Sequence, residues 1–223
     1  EGIQIMGGMC FSAETPMQSA WRDTRIARIY EGTNEINRIL LVGMLIKKAM
    51  KGQLDLIGPA TAVGEELLGI PDFAIPDFSA PLSQEKHILK NLKKVFLMIA
   101  GAGVQKYGTE LEEHQQLLLA VADILIEVYM AESAVLRAEK NIGVYGLEAQ
   151  EHQVALSQLY LYQAVEKIST KGREAILGFA EGDEQKALLM GLKRFTKYME
   201  YPNVIALRNK VAEKLTAENV YCF

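Results

Sequence analysis

The sequence is short of cysteine, of basic charge and of long apolar runs, and each shortage excludes a class of protein. Its two cysteines, Cys10 and Cys222, stand far apart without a Cys-x-x-Cys pattern, so neither a disulfide framework nor a zinc site is indicated. No apolar run reaches about eighteen residues, the length that a membrane-spanning helix needs. Lysine and arginine number 24 against 28 acidic residues, which leaves no basic excess for binding nucleic acid.

Histidine is scarce as well. The three histidines lie among Lys, Glu and Gln without the spacing of metal ligands, so we predict three surface residues and no metal: His87, His114 and His152. What the sequence does contain is 49% hydrophobic and 23% charged residues over 223 positions. This is the composition of a soluble globular protein with one large or two small domains.

Helical periodicity runs through most of the chain, and no segment alternates with the period of a strand, so we predict an all-α fold. Residues 1–11 are predicted to end a helix in a Gly-Gly turn, and Pro16 to open a short helix that ends near Arg25. An amphipathic helix begins at Ser83, with a row of lysines opposite its apolar face. Further helices are predicted at 33–51, 60–68, 110–141, 147–179, 182–199 and 203–216.

Proline is concentrated in one stretch. Residues 52–81 hold four of the six prolines together with several glycines, a composition typical of a linker with at most one short helix. The sequence therefore predicts a first region at 1–51, a linker at 52–81 and a second helical region at 82–223.

The turn at Glu31-Gly32 separates two helical segments. A carboxylate beside a glycine and before a helix N-terminus suits acid/base chemistry, because glycine lets a ligand approach the backbone. Thr33 or Asn34 can cap the helix that follows, and the amides there attract electron-rich groups. An ordinary solvated turn is the alternative, and the residue pattern alone leaves both interpretations open.

Residues just before this turn are predicted to support it. Trp21, the only tryptophan, is expected to be a packing anchor. Four charged residues are predicted to form an ion-pair network that holds the loop, with a ligand-binding cluster as the alternative: Arg22, Asp23, Arg25 and Arg28.

The first forty residues resemble the C-terminal signature of the acyl-CoA dehydrogenase family. The resemblance rests on two motifs, Ile3-Gln-Ile-Met-Gly-Gly-Met-Cys-Phe11 and Trp21-Arg-Asp-Thr-Arg-Ile-Ala-Arg-Ile-Tyr-Glu-Gly-Thr-Asn-Glu-Ile-Asn-Arg38. It implies that Glu31 is the catalytic base, which removes the α-proton of an acyl-CoA thioester while FAD accepts a hydride from the β-carbon. In the family the backbone N–H of this glutamate also donates to the thioester carbonyl, which stabilises the developing enolate.

The same resemblance implies the binding residues. Tyr30 and Gly32 would lie against the thioester. Three residues would contact the FAD of the same subunit: Thr33, Asn34 and Glu35. Five residues would reach the FAD of a neighbouring subunit: Gln4, Ile5, Met6, Gly7 and Gly8. Cys10 departs from the family, which usually has a third glycine there, and its side chain would crowd the turn if φ is positive. Arg38 matches a family arginine to which the sequence assigns no role.

The second region resembles the extra C-terminal helical domain of the very-long-chain acyl-CoA dehydrogenases. The expected architecture is the end of the family's C-terminal four-helix bundle followed by an additional antiparallel helical bundle. The resemblance implies a long-chain acyl-CoA substrate in fatty acid β-oxidation, an electron-transferring flavoprotein as partner and a homodimer. The implied location is the bacterial cytoplasm or, in a mitochondrion, the matrix or the matrix face of the inner membrane.

The linker carries a further hypothesis of peripheral membrane contact, with a plain linker as the alternative. Its apolar candidates are Ile70, Phe73, Ile75 and Phe78. Because Glu1 follows no methionine and stands at the first motif, the chain is expected to be a C-terminal fragment that does not catalyse the reaction alone. A non-catalytic α-helical module for dimerisation or membrane docking is the alternative.

Overall fold

The computed structural model describes residues 1–69 and 76–223, and these residues form α-helices and short 3-10 segments without a strand among them. The all-α prediction is confirmed. The α-helices are α1 (Gly2–Met6), α2 (Pro16–Ile26), α3 (Asn34–Met50), α4 (Ile57–Leu68), α5 (Ser83–Tyr107), α6 (Gln115–Tyr145), α7 (Glu151–Phe179), α8 (Gly182–Phe195) and α9 (Val204–Glu218). The 3-10 segments are Gly7–Phe11, Gly108–Glu113 and Glu148–Gln150.

The core lies between α5, α6 and α7, which are long helices joined by short connections and therefore run antiparallel to their neighbours. The predicted apolar face of α5 is buried, and Leu92, Val95 and Ile99 are fully inaccessible to solvent. Ile124 of α6 and Ile168 of α7 meet them in one continuous hydrophobic cluster. α8 packs on α5 and α7. The extensive contacts of α9 are with α7.

Several helix ends differ from the prediction. α6 begins at Gln115 rather than near residue 110, because the 3-10 segment Gly108–Glu113 precedes it. α8 ends at Phe195 rather than near residue 199. The Thr196 hydroxyl donates to the Leu192 carbonyl at 2.8 Å, and Tyr198 then turns into the core. The helix in the predicted linker begins at Ile57, three residues earlier than expected.

That linker helix, α4, is packed against the bundle. Glu66 pairs with Lys94 of α5 at 2.7 Å and with Arg194 of α8 at 3.2 Å. Val63 is buried in the same cluster as the long helices. The division into a first region, a linker and a second region stays a prediction, and α4 belongs to the packed part of the molecule.

The membrane-contact candidates fall mostly outside the described residues, since Ile70, Phe73 and Ile75 lie at 70–75. Phe78 is half-buried and packs edge-on against His87, with 5.6 Å between the ring centroids. No helix in the parts of the chain that the structure describes is long and apolar enough to cross a membrane.

The three histidines, predicted to be surface residues, are partly exposed. All three are half-buried, and His114 stacks on Tyr107 with 3.5 Å between the ring centroids. Over residues 1–69 and 76–223, no group of three or more His, Cys, Asp or Glu side chains is placed to hold a metal ion.

The first region is packed differently from the bundle. α1, the 3-10 segment Gly7–Phe11 and α2 pack chiefly against one another, and only α3 packs extensively on the bundle, through α6. Trp21 is 56% exposed, so the prediction that it is a packing anchor is wrong for this chain. Other large apolar side chains of this region are exposed as well: Ile5, Met6, Phe11, Ile36, Leu40 and Met44.

Candidate functional site

The turn between α2 and α3 has an unusual backbone. Glu31 has φ 56° and Gly32 has φ 87°, so two consecutive residues adopt the left-handed conformation. Glycine does so freely, whereas a residue with a Cβ is strained by about 1–2 kcal/mol. Strain of this kind persists only where the surroundings hold it, and it is concentrated at functional sites.

Three hydrogen bonds hold this turn. The Asn37 side-chain amide donates to the Gly32 carbonyl at 2.9 Å, and the Asn34 backbone amide donates to the Arg28 carbonyl at 3.2 Å. Thr33 is the N-cap of α3, and its hydroxyl accepts from the Ile36 amide at 3.2 Å. A Cβ on Gly32 would lie 3.0 Å from the Asn37 side-chain oxygen, so the Asn37 side chain would have to shift, and the positive φ independently favours glycine here.

The candidate base is accessible. Tyr30, Glu31 and Gly32 are all exposed, and Tyr30 is 54% so. Within residues 1–69 and 76–223, neither the Glu31 nor the Gly32 backbone amide donates to a protein acceptor. The turn thus combines an exposed carboxylate with two backbone N–H groups that have no protein acceptor, and such groups can remove a proton and bind a carbonyl oxygen.

The start of α3 is less open than the sequence suggested. The Asn34, Ile36 and Asn37 amides are all engaged within the protein. Bonding to its own backbone N–H, aided by the Thr33 hydroxyl and by the charges of Arg38 and Arg28, holds the pKa of Glu35 below its ordinary value. A carboxylate here repels phosphate, so contact with a cofactor would pass through side chains and hydroxyl donors such as ribose.

The other predicted cofactor residues lie at the start of the chain. Gln4, Ile5 and Met6 are exposed in α1, and Gly7 and Gly8 open the 3-10 segment that follows. Gly7 has φ 67°, and a Cβ on either glycine would meet no atom within 4 Å. The open backbone fits the close approach of FAD. α1 and the 3-10 segment pack against α2, which carries the start of the second motif, and they make no extensive contact with α3.

Cys10 does not crowd this segment. It is fully buried, and its φ is not positive. The glycine usual in the family is therefore not required here by backbone conformation.

The predicted ion-pair network before the turn is wrong. Among the described residues, no salt bridge joins any two of the four charged residues, and all four side chains are exposed: Arg22, Asp23, Arg25 and Arg28. Asp23 is one and two positions from its nearest arginines, and residues at those spacings do not face each other on a helix. The sequence did not lead us to predict a role for Asn37. Its amide side chain, one helical turn after the N-cap Thr33, could have indicated that it supports the turn.

Arg38 is placed by a long-range contact. Its Nε lies 3.2 Å from the Asp123 carboxylate on α6. Nothing in the local sequence around Arg38 indicates this partner.

Comparison with known proteins adds independent findings. The chain matches two models described as "Acyl-CoA dehydrogenase, C-terminal domain", one over residues 1–45 and the other over residues 91–194. A crystal structure of an acyl-CoA dehydrogenase complexed with FAD from Bacillus anthracis superposes with a TM-score of 0.93 at 37% identity. The match covers 100% of this chain and 37% of that one.

Curated relatives extend the comparison. The "Probable acyl-CoA dehydrogenase" of Bacillus subtilis (strain 168) is 39% identical over 214 residues, which cover 95% of this chain and 35% of that protein. The mitochondrial very long-chain specific acyl-CoA dehydrogenase of Rattus norvegicus is 28% identical over 215 residues, 89% of this chain and 32% of its own length. The mitochondrial short-chain specific enzyme of Sus scrofa matches 47 residues at 49% identity, 21% of this chain and 11% of its own. The chain spans about a third of the length of the first two relatives.

Proposed function

Because this chain belongs to the acyl-CoA dehydrogenase family, we propose that it is the C-terminal part of an FAD-dependent acyl-CoA dehydrogenase in which Glu31 is the catalytic base. One observation carries the proposal: Glu31 is held in a strained left-handed conformation on an exposed turn, beside unengaged backbone amides. An ordinary solvated turn has no need of a strained glutamate.

The chemistry follows from this arrangement. The Glu31 carboxylate takes the α-proton of the acyl thioester, and the C–H electron pair passes into the forming α,β double bond. The Glu31 amide donates to the thioester oxygen, where negative charge develops. FAD, when bound, supplies the acceptor for the hydride that leaves the β-carbon. Tyr30 and Gly32 flank the thioester, and the absence of a side chain on Gly32 gives the substrate access to the backbone.

Thr33, Asn34 and Glu35 are the proposed FAD contacts of the same subunit. Residues Gln4 to Gly8 are the proposed contacts to the FAD of a second subunit, and their exposure together with the open backbone at Gly7 and Gly8 supports that role. A homodimer and an electron-transferring flavoprotein partner are part of the proposal.

We also propose a long-chain acyl-CoA as the substrate, in fatty acid β-oxidation. The very long-chain relative matches over 89% of this chain, whereas the short-chain relative matches over 21% of it. The second region is therefore a feature that the chain shares with the very long-chain relative.

The test compares the complete flavoprotein carrying this chain with its Glu31→Gln variant. Each protein is mixed anaerobically with palmitoyl-CoA, and bleaching of the flavin absorbance is followed. Because glutamine cannot accept the proton, we expect the variant to bind flavin normally and to be bleached roughly 10²–10⁴-fold more slowly. Glu65→Gln is the matched control, since it removes an exposed carboxylate of α4 outside the proposed site and should leave the bleaching rate within a few-fold of wild type.

Equal bleaching of wild type and Glu31→Gln would show that the base lies elsewhere. If the wild type neither held flavin nor was bleached, the non-catalytic helical module would be the better description.

A further inference from the structure

The contact between Arg38 and Asp123 joins the candidate active site to the bundle. Arg38 lies in α3, one turn after Asn34 and seven residues after Glu31, and Asp123 lies in α6. Their side chains are 30% and 28% exposed, and Nε and Oδ1 are 3.2 Å apart. This pair therefore lies where the first turn of α3 meets the second region.

The Arg38–Asp123 pair lies at one end of the apolar contact between α3 and α6. Val42 and Ala49 of α3 are buried, and together with Arg38 they follow the helical spacing of a single face. Ile39, Leu45 and Ile46 pack beside them on the core. Apolar contact is non-directional, so it holds α3 on α6 without fixing the rotation of α3 about its own axis. The ion pair of Arg38 with Asp123 adds an attachment between one point on this face of α3 and α6, and so restricts that rotation.

The rotation of α3 is transmitted to the turn. Asn37, the neighbour of Arg38, donates to the Gly32 carbonyl and fills the space beside the Gly32 α-carbon. A change in the direction of this first turn thus moves Gly32, and Glu31 with it. Misplacement of a reacting group by about 1 Å can cost up to about 10²-fold in rate.

The neighbouring cations are already engaged. Lys167 and Lys171 line the same groove between α3, α6 and α7 as Arg38 and Asp123. Lys167 pairs with Glu127 at 2.8 Å, and Lys171 pairs with Glu174 at 2.7 Å. Each of these lysines thus has its own carboxylate partner. Arg38 is the cation that forms a salt bridge with Asp123, although Lys171 also senses the charge of Asp123.

We propose that Arg38 is a positioning residue, and that its ion pair with Asp123 orients the first turn of α3 and so places the Glu31 carboxylate against the substrate α-carbon. This inference rests on the proposed function of Glu31. It assigns the second region a part in catalysis, through α6, although that region contains none of the predicted catalytic or binding residues.

The experiment uses the complete flavoprotein and measures the rate constant of flavin reduction by saturating palmitoyl-CoA, per bound flavin, in a single turnover. Loss of folded protein lowers the amplitude and not this rate constant. For Arg38→Met we expect a rate about 3–10-fold below wild type, with flavin content and palmitoyl-CoA affinity unchanged. Asp123→Asn should give a similar decrease, and the double variant should be no slower than either single variant.

Two further variants keep the test specific. Arg38→Lys retains the charge without the forked geometry and should recover part of the lost rate. Lys93→Met breaks a comparable helix-helix pair, Lys93 with Glu132 between α5 and α6, and should leave the rate at the wild-type value.

Additive effects of Arg38→Met and Asp123→Asn, or a wild-type rate in either, would overturn the positioning role. A wild type that palmitoyl-CoA does not reduce, or a Glu31→Gln variant reduced at the wild-type rate, would overturn the proposed function itself. The variants whose reduction rates change therefore distinguish a failure of the positioning role from a failure of the proposed function.

Discussion

Two regions of this chain contrast in how they use apolar residues. In the bundle of α5 to α7, Leu92, Ile124 and Ile168 are fully buried. In residues 1–50, Phe11 is 93% exposed and Leu40 is 58% exposed. The bundle carries its own core, whereas the region with every candidate site residue has an apolar surface that this chain leaves uncovered.

The contrast predicts very different costs for the same substitution. In the 223-residue chain, Leu92→Ala should lower the free energy of unfolding by about 2–5 kcal/mol, because it leaves a cavity in a closed core. Leu40→Ala, its matched control in α3, should change the free energy by less than about 0.5 kcal/mol. Urea denaturation followed by circular dichroism measures both.

An equal cost for the two variants would contradict the comparison. In the proposed full-length flavoprotein α3 is expected to be covered, so Leu40→Ala should lower the free energy of unfolding there more than it does in this chain.

A second prediction separates strain from packing. Glu31→Gly removes the Cβ from a residue at φ 56° and should stabilise the chain by up to about 1 kcal/mol, while abolishing the proposed proton transfer. Gly32→Ala places a Cβ at φ 87° and 3.0 Å from Asn37, and should destabilise the chain by at least about 1 kcal/mol. Opposite signs in urea denaturation are the expected result.

Destabilisation by Glu31→Gly would show that the left-handed glutamate is not strained in this fold. In that case the first region would not be destabilised by backbone strain at Glu31, and it would differ from the bundle only in how its apolar side chains are packed.

Most of the fold could be predicted from the sequence because helical periodicity is a local property. The positions of α2, α3 and α7 follow from apolar spacing bounded by Pro16, Gly52 and the glycines near 143–146. The ends that differ depend on distant contacts. Tyr198 ends α8 by entering a core built from other helices, and no residue near it indicates that core.

The candidate site also has features that the local sequence predicts and features that depend on distant contacts. The family, read from two motifs, is confirmed by the comparisons. The Glu31-Gly32 turn is visible locally, whereas its support by Asn37 depends on the turn's backbone. The Arg38–Asp123 pair joins residues on different helices far apart in the chain, so local pattern could not reveal it. The assignments of base and binding residues stay predictions.

The smallest expected effect concerns how carboxylates are held in the two regions. In the bundle, a hydrogen bond from Lys210 of α9, 2.6 Å away, holds the pKa of Glu151 below its ordinary value of 4.5. In the first region the pKa of Glu35 is lowered mainly by its own backbone N–H. Lys210→Met should therefore raise the pKa of Glu151 toward 4.5 and leave that of Glu35 unchanged.

A carboxylate whose folded pKa is below its unfolded value stabilises the fold above the unfolded pKa, and this contribution is lost as pH falls through the folded pKa. Lys210→Met should therefore be less stable than wild type at pH about 7, with the difference shrinking below pH about 4.5. Carboxyl-detected NMR titration gives the two pKa values, and urea midpoints at both pH values give the stabilities. An equal shift of Glu35 would mean that net charge, rather than the contact between α7 and α9, sets the pKa of Glu151.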